Sequence, residues 1–269
     1  MARLTAYDRP TMRVRSAPLI LSVVAIAGLA ATGTASAAAV PPPAPSKQVV
    51  GEPAPASASP VLSQVIGTWT SMTWTLYSHV DREYPATGRY QFDCVGMTNY
   101  FLGLGAPKAN DELRTRERIG AHYVPSPTRV AAFLRWVRTK GSARWWTAVT
   151  RGARIRPGDL IAIPPAKGSK EPGHAVIAAG PPKALADGSF ALLVYDSTAQ
   201  PAHGPFDTRN TDPRNAVMAG TTRHSGLGRG TIQILVDAKG RAQHMRWFVT
   251  GYRYGGPLEI GRPLQHARG

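Results

Sequence analysis

Gly173-His174-Ala175-Val176-Ile177-Ala178, joined across residues 180–190 to Ala191-Leu192-Leu193-Val194-Tyr195-Asp196, marks the change of this chain from helix to sheet. Both runs are short and apolar. Gly180, Pro181, Pro182, Asp187 and Gly188 between them are residues that stop a strand and turn the chain. The pair reads as a β-hairpin. A second hairpin, Thr231 to Val236 and His244 to Thr250, turns on Asp237-Ala238-Lys239-Gly240. Before both, the turn signal Arg156-Pro157-Gly158-Asp159, capped by the Asp159 carboxylate, leads into a short strand from Leu160 to Ile163.

Upstream the apolar spacing is helical. Positions 62, 65, 66, 69, 72, 76 and 80 predict a helix from Val61 to Val80. Residues 81–92 are polar, hold Pro85 and Gly88, and read as a loop. Asp93 is placed to cap a helix running from Cys94 to Leu102 and ended by Gly103 and Gly105. Ser126 caps a further helix that Pro127 opens and Gly141 closes, with Val130, Phe133, Leu134 and Val137 as its buried stripe. Helices first and an antiparallel sheet second make an α+β domain.

The N-terminus has another character. Arg13 and Arg15 precede an apolar run from Ala17 to Ala31, and Thr34-Ala35-Ser36-Ala37 follows. That is the order of a secretory signal, with cleavage expected after Ala37, and the apolar run is short for a membrane span. Residues 38–60, dominated by Ala, Pro, Val and Ser, read as an extended tether. Residues 61–269 then form one domain with a substantial core. The expectation is a protein that is secreted, or associated with the cell wall, without stable membrane insertion after signal cleavage.

The chain carries a formal net charge of +16, of which residues 1–37 hold four arginines against Asp8. Outside the cytoplasm such charge favours peptidoglycan or another anionic cell-wall polymer. No zinc-finger spacing, recognition helix or aromatic RNA-binding motif accompanies it, so no nucleic-acid partner is expected. No histidine pair has metal-ligand spacing, and neither metal nor cofactor is expected.

Cys94 is the single cysteine, so it has no intramolecular disulfide partner. Behind an export signal it is either a small buried hydrophobe or a reactive thiol. In the first turn of a helix capped by Asp93, free N–H groups and the helix dipole favour a thiolate and can receive an oxyanion. Asp93 opposes the thiolate unless its carboxylate is committed to the cap, and Gly96 lets another element approach the helix. Among seven histidines, His174 alone follows a glycine and opens a strand. If Ala191 lies opposite Ala179, facing residues have indices that add to 370, and His174 faces Asp196 on one side of the sheet. Asp196 is then either the group that orients His174 or a former of the Asp-Ser-Thr turn. Cys94, His174 and Asp196 would be nucleophile, base and orienter of a cysteine hydrolase.

Three of these stretches resemble one family. Phe92-Asp93-Cys94-Val95-Gly96 is similar to the Asp-Cys-Ser-Gly box of the NlpC/P60 papain-like cysteine peptidase superfamily, with Val95 in place of the serine. Pro157-Gly158-Asp159-Leu160-Ile161 resembles the segment leading that family into its sheet, and Gly173-His174-Ala175-Val176-Ile177 its histidine strand. The resemblance implies N-terminal helices packed on an antiparallel sheet, Cys94 as nucleophile, His174 as base and Asp196 as third residue. It also implies a tyrosine shortly before the cysteine that serves substrate or oxyanion, matched by Tyr90, with Gln91 competing for the role. Many members cut the stem peptides of peptidoglycan. A non-catalytic wall-binding module, or a thiol acyltransferase of transglutaminase type, stays open beside a secreted amide hydrolase. The segment around 200–230 matches nothing in the family pattern.

Overall fold

The computed structural model describes residues 54–119, 122–141, 143–170, 172–248 and 253–268. Residues 1–37, read from the sequence as an export signal, and the predicted tether up to residue 53 lie outside them. The folded domain takes in residues 54–60, which their composition had assigned to the tether. Ala54 N–H bonds the Ala179 carbonyl at 2.8 Å, and a single 3-10 turn at Ala56–Ala58 leads into the first helix.

Four helices are present among the described residues: α1 (Pro60–Ser71), α2 (Cys94–Gly105), α3 (Pro107–Arg116) and α4 (Pro127–Lys140). Three short strands, β1 (Trp74–Leu76), β2 (Arg82–Tyr84) and β3 (Arg89–Gln91), form a small sheet between α1 and α2. Residue pairs β4 (Arg118–Ile119) and β5 (His122–Tyr123) follow α3. The main sheet holds β6 (Trp146–Ala148), β7 (Leu160–Ile163), β8 (His174–Ala178), β9 (Lys183–Ala184), β10 (Phe190–Thr198), β11 (Gly226–Val236), β12 (Ala242–Trp247), β13 (Arg253–Tyr254) and β14 (Glu259–Pro263). The α+β order is thus as the sequence predicts.

Several boundaries differ. α1 stops at Ser71 rather than running to Val80, because Met72 turns to extended backbone and Trp74-Thr75 pairs with β3. The predicted loop 81–92 contains β2 and β3, joined by a turn that Gly88 closes at φ 66°. α2 continues past the predicted end at Leu102, through Gly103, and has Gly105 as its last residue. A β-carbon on Gly105 would come within 2.6 Å of Val61 Cα, so this glycine lets α1 cross α2 closely. Pro107 sets the end, since it restricts the residue before it. The cap and stop predicted for α4 are present: Ser126 Oγ accepts from Arg129 N–H, and Gly141 takes φ 65°. The strand predicted to reach Thr250 ends at Trp247, and residues 249 and 250 lie outside the described ones.

The main sheet runs β13-β12-β11-β10-β8-β7-β14-β6, every neighbour antiparallel, with β9 added to β10. It curls until its ends meet. Ala242 N–H bonds the Thr150 carbonyl at 2.9 Å and Gly152 N–H the Gly240 carbonyl at 3.1 Å. Period-two alternation sorts the side chains. Leu160, Ala162, Ala175, Ile177, Leu193 and Tyr195 face the helices, with Phe101, Phe133 and Trp146 in the same cluster. Ile161, Ile163, Val176, Ala178, Leu192, Val194, Ile232 and Ile234 fill the inside of the curl. Among the described residues no helix is long and apolar enough to cross a membrane.

Candidate functional site

The start of α2 carries Cys94, 6% exposed. Asp93 Oδ1 accepts from Val95 N–H at 2.9 Å and Gly96 N–H at 2.8 Å, while its Oδ2 lies 3.0 Å from His79 Nδ1. The carboxylate is committed to the cap, as the favourable case for the thiol requires. That commitment has a consequence for the oxyanion. Two of the N–H groups expected to receive it are already occupied. The N–H of Cys94 itself has no hydrogen-bond partner among the described residues.

Gly96 does admit a close neighbour. A β-carbon there would fall 2.1 Å from Asp81 Oδ1, so the Asp81 carboxyl rests against the first turn of α2. Burial, then the charge of Asp93, pushes this carboxyl up to about 6.

β8 begins at His174. Gly173 before it sits at φ 87°, where a β-carbon would come within 2.5 Å of the Ile163 carbonyl, so only glycine lets the strand start here. Tyr254 Oη donates to the Gly173 carbonyl at 3.0 Å, and the imidazole lies beside the rings of Trp247 (5.8 Å) and Tyr254 (6.2 Å). His174 Nε2 is 2.8 Å from Asp196 Oδ2. That leaves Nδ1 free of the carboxylate, and the imidazole is coupled electrostatically to Cys94. Burial pulls the His174 pKa down. The hydrogen bond to Asp196 and the interactions with Cys94 outweigh it, lifting the value to about 9.

The register differs from the predicted one. Val194 pairs with Ala178 and Tyr195 with Ile177, so facing indices add to 372 rather than 370. The Ala179–Ala191 pairing does not form because β9 intervenes and takes Ala191 through Lys183. A shift of two residues keeps every side chain on its face. His174 and Asp196 therefore meet as diagonal rather than direct neighbours, within the reach of a histidine and a carboxylate. Asp196 lies within strand β10, not in a turn, and Ser197 Oγ ties that strand to the Phe92 carbonyl at 2.8 Å, two residues before Cys94.

The unmatched segment around 200–230 supplies the rest of the site. His203 Nε2 lies 3.0 Å from Asp196 Oδ2. Arg209 bonds Asp196 Oδ1 through Nη2, which also reaches the Asp196 carbonyl at 2.7 Å. Its Nη1 is 3.0 Å from both oxygens of Asp207, and Nε donates to the Gly226 carbonyl at 2.8 Å. All these side chains are buried. They fit because two inward positions of β11, 228 and 230, are glycines. A β-carbon on Gly228 would come within 2.3 Å of Arg209 Cζ, and one on Gly230 within 2.2 Å of His203 Cγ. Burial raises the Asp196 pKa, but the Arg209 and His203 charges and the histidine hydrogen bonds hold it well below the usual carboxylate range.

Tyr90 and Gln91 are turned elsewhere. Tyr90 is buried among the rings of Phe92 (6.2 Å) and Tyr100 (5.8 Å); the Tyr100 phenol is pushed up to about 12, by burial first. Gln91 Nε2 donates to the Val80 carbonyl at 3.2 Å. The tyrosine whose phenol feels the Cys94 charge is Tyr77. Burial, then the charges of Cys94 and Asp93, raises its pKa, so it holds its proton. Tyr77 arrives there because β1 runs parallel to β3, with Phe92 N–H bonded to Leu76 and Ser78 N–H to Phe92. The only sequence signal for it is the β-branched and aromatic run Trp74-Thr75, which marks a strand.

Asp159 caps its turn through Arg156 N–H at 2.8 Å and also binds Arg262 at 2.8 and 2.9 Å. Among the described residues no group of three His, Cys, Asp or Glu is arranged to hold a metal ion.

No family model matches the chain. No curated protein and no solved structure matches it either.

Proposed function

We propose that the chain is a secreted cysteine hydrolase of amide bonds, with the stem peptides of peptidoglycan as its substrate class. The observation that carries this reading is the buried His174–Asp196 pair, with Nε2 of the ring taken by the carboxylate and the ring coupled electrostatically to Cys94.

In this mechanism negative charge on Cys94 sulfur is stabilised by the start of α2 and by the His174 imidazolium. Sulfur attacks the amide carbon and the carbonyl oxygen becomes an oxyanion. The Cys94 N–H is the available backbone donor for it, and the protonated Tyr77 phenol, which feels the Cys94 charge, is the candidate second donor. The C–N bond breaks as Nδ1 of His174 gives its proton to the leaving amine, producing an acyl-thioester. Water, deprotonated by the neutral ring, then releases the acid and restores the thiol. Asp196 keeps the ring in its tautomer and orientation throughout. The wall as location rests on the export-type leader, the positive charge and the family resemblance.

Alkylation by iodoacetamide tests the thiol directly. The account expects rapid labelling of Cys94 at pH 7 and a collapse of the rate in H174A. A slow rate that follows an ordinary thiol, the same in both proteins, would contradict it.

A further inference from the structure

Arg151 lies directly across from Arg241 in an antiparallel bridge at the seam where the sheet closes. The flanking bonds, Gly152 to Gly240 and Ala242 to Thr150, make this the non-hydrogen-bonded kind of pair. In that kind the opposed side chains stand closest, and like charges repel. Both arginines are exposed, and neither has an ion-pair partner among the described residues. Asp237, which feels the Arg241 charge, spends Oδ1 on the N–H groups of Lys239 and Arg241.

Two grooves meet at this bridge and share Val149, Thr150 and Arg151. One, of ≈ 290 Å³, adds Arg154, Arg156 and Arg262; the other, of ≈ 480 Å³, adds Arg138 and Arg241. The acids along them are already engaged. Asp159 is bound by Arg262, and Glu259 by Arg135 and Arg138. Arg151, Arg154, Arg156 and Arg241 leave exposed guanidinia in one continuous track.

We infer that this seam binds a linear polyanion whose repeating charges are phosphates. Two guanidinia on a narrow pair can approach the tetrahedral oxygens of one phosphate from different sides. Grooves leaving the bridge in both directions suit a polymer with further phosphates on either side. The seam also lies away from the thiol. Gly228, opposite Asp196, and Val236, opposite Ala242, are near the two ends of β11, so a bound polymer leaves the Cys94 end free.

The test is binding of the chain from residue 38 onward to long-chain inorganic polyphosphate across a salt series, with poly-L-glutamate as the carboxylate control. R151Q/R241Q is expected to weaken polyphosphate binding about tenfold and to make the slope of log K against log salt shallower by about 1–2. R82Q/R223Q removes the same charge from two exposed arginines elsewhere and is expected to bind within about twofold of the parent. C94A is expected to bind as the parent does, which separates this inference from the hydrolase reading. An equal loss in R82Q/R223Q would reduce the effect to net charge and overturn the seam. Polyglutamate binding as tightly, with the same sensitivity to R151Q/R241Q, would overturn the choice of phosphate.

Discussion

Nε2 of His174 lies 2.8 Å from Oδ2 of Asp196, and both side chains are withdrawn from solvent. A carboxylate so placed fixes both the ring orientation and its tautomer. D196N keeps the size of the side chain but can present an amide N–H to the ring. Turnover of a peptide substrate is expected to fall by about 10²–10⁴ with little change in KM. Steady-state kinetics checks it, with circular dichroism to show that the fold persists.

The raised pKa of His174 makes a stability prediction. The ring titrates at about 9 in the folded chain against an ordinary value of 6.5. Its protonated form therefore contributes stability that is fully present below about 6.5 and lost as pH rises through about 9. Thermal melts across that window should show a falling Tm in the parent, and H174A should lack that part of the slope.

Asp81 acts with the same sign in a lower pH window. Its carboxyl is pushed up from 3.8 to about 6, so the folded chain holds the proton more tightly than the unfolded chain does. Stability from this group declines as pH rises from about 4 to about 6. The Tm difference between D81N and the parent should widen in favour of D81N over that range. A constant difference would remove Asp81 from the first turn of α2.

Gly228 and Gly230 are tests of the buried cluster. G228A puts a methyl group into Arg209, and no positive φ complicates the substitution. Overpacking of this kind costs about 1–3 kcal/mol, and displacement of Arg209 from Asp196 should lower turnover as well. Chemical denaturation and kinetics on the one variant measure both. A β11 position one residue along, Arg229→Ala, turns to the other face and should leave turnover largely intact.

How much of this was legible in the sequence follows from how local each determinant is. The capped starts of α2 and α4 and the strands at 160–163 and 174–178 depend on near neighbours, and Asp93, Ser126 and the Pro-Gly turn announce them. The face shared by His174 and Asp196 follows from period-two alternation, which survives the two-residue error in register. Pairing of β1 with β3 is nonlocal, and strands of three residues leave almost no periodicity, so Tyr77 stayed hidden behind Tyr90. The cluster of His203, Asp207 and Arg209 forms only because a segment rich in Arg, Gly, Asn and Thr folds back over two glycines of β11. Its residues look like surface loop until that packing is known.

Digestion of purified peptidoglycan by the chain from residue 38 onward and by its C94A variant, with mass analysis of the soluble products, tests the central claim most directly. The account predicts new pairs of free amine and carboxyl at stem-peptide amide bonds with the parent, and none with C94A. The same fragments from C94A, or no fragments from a parent whose thiol is labelled rapidly, would contradict it.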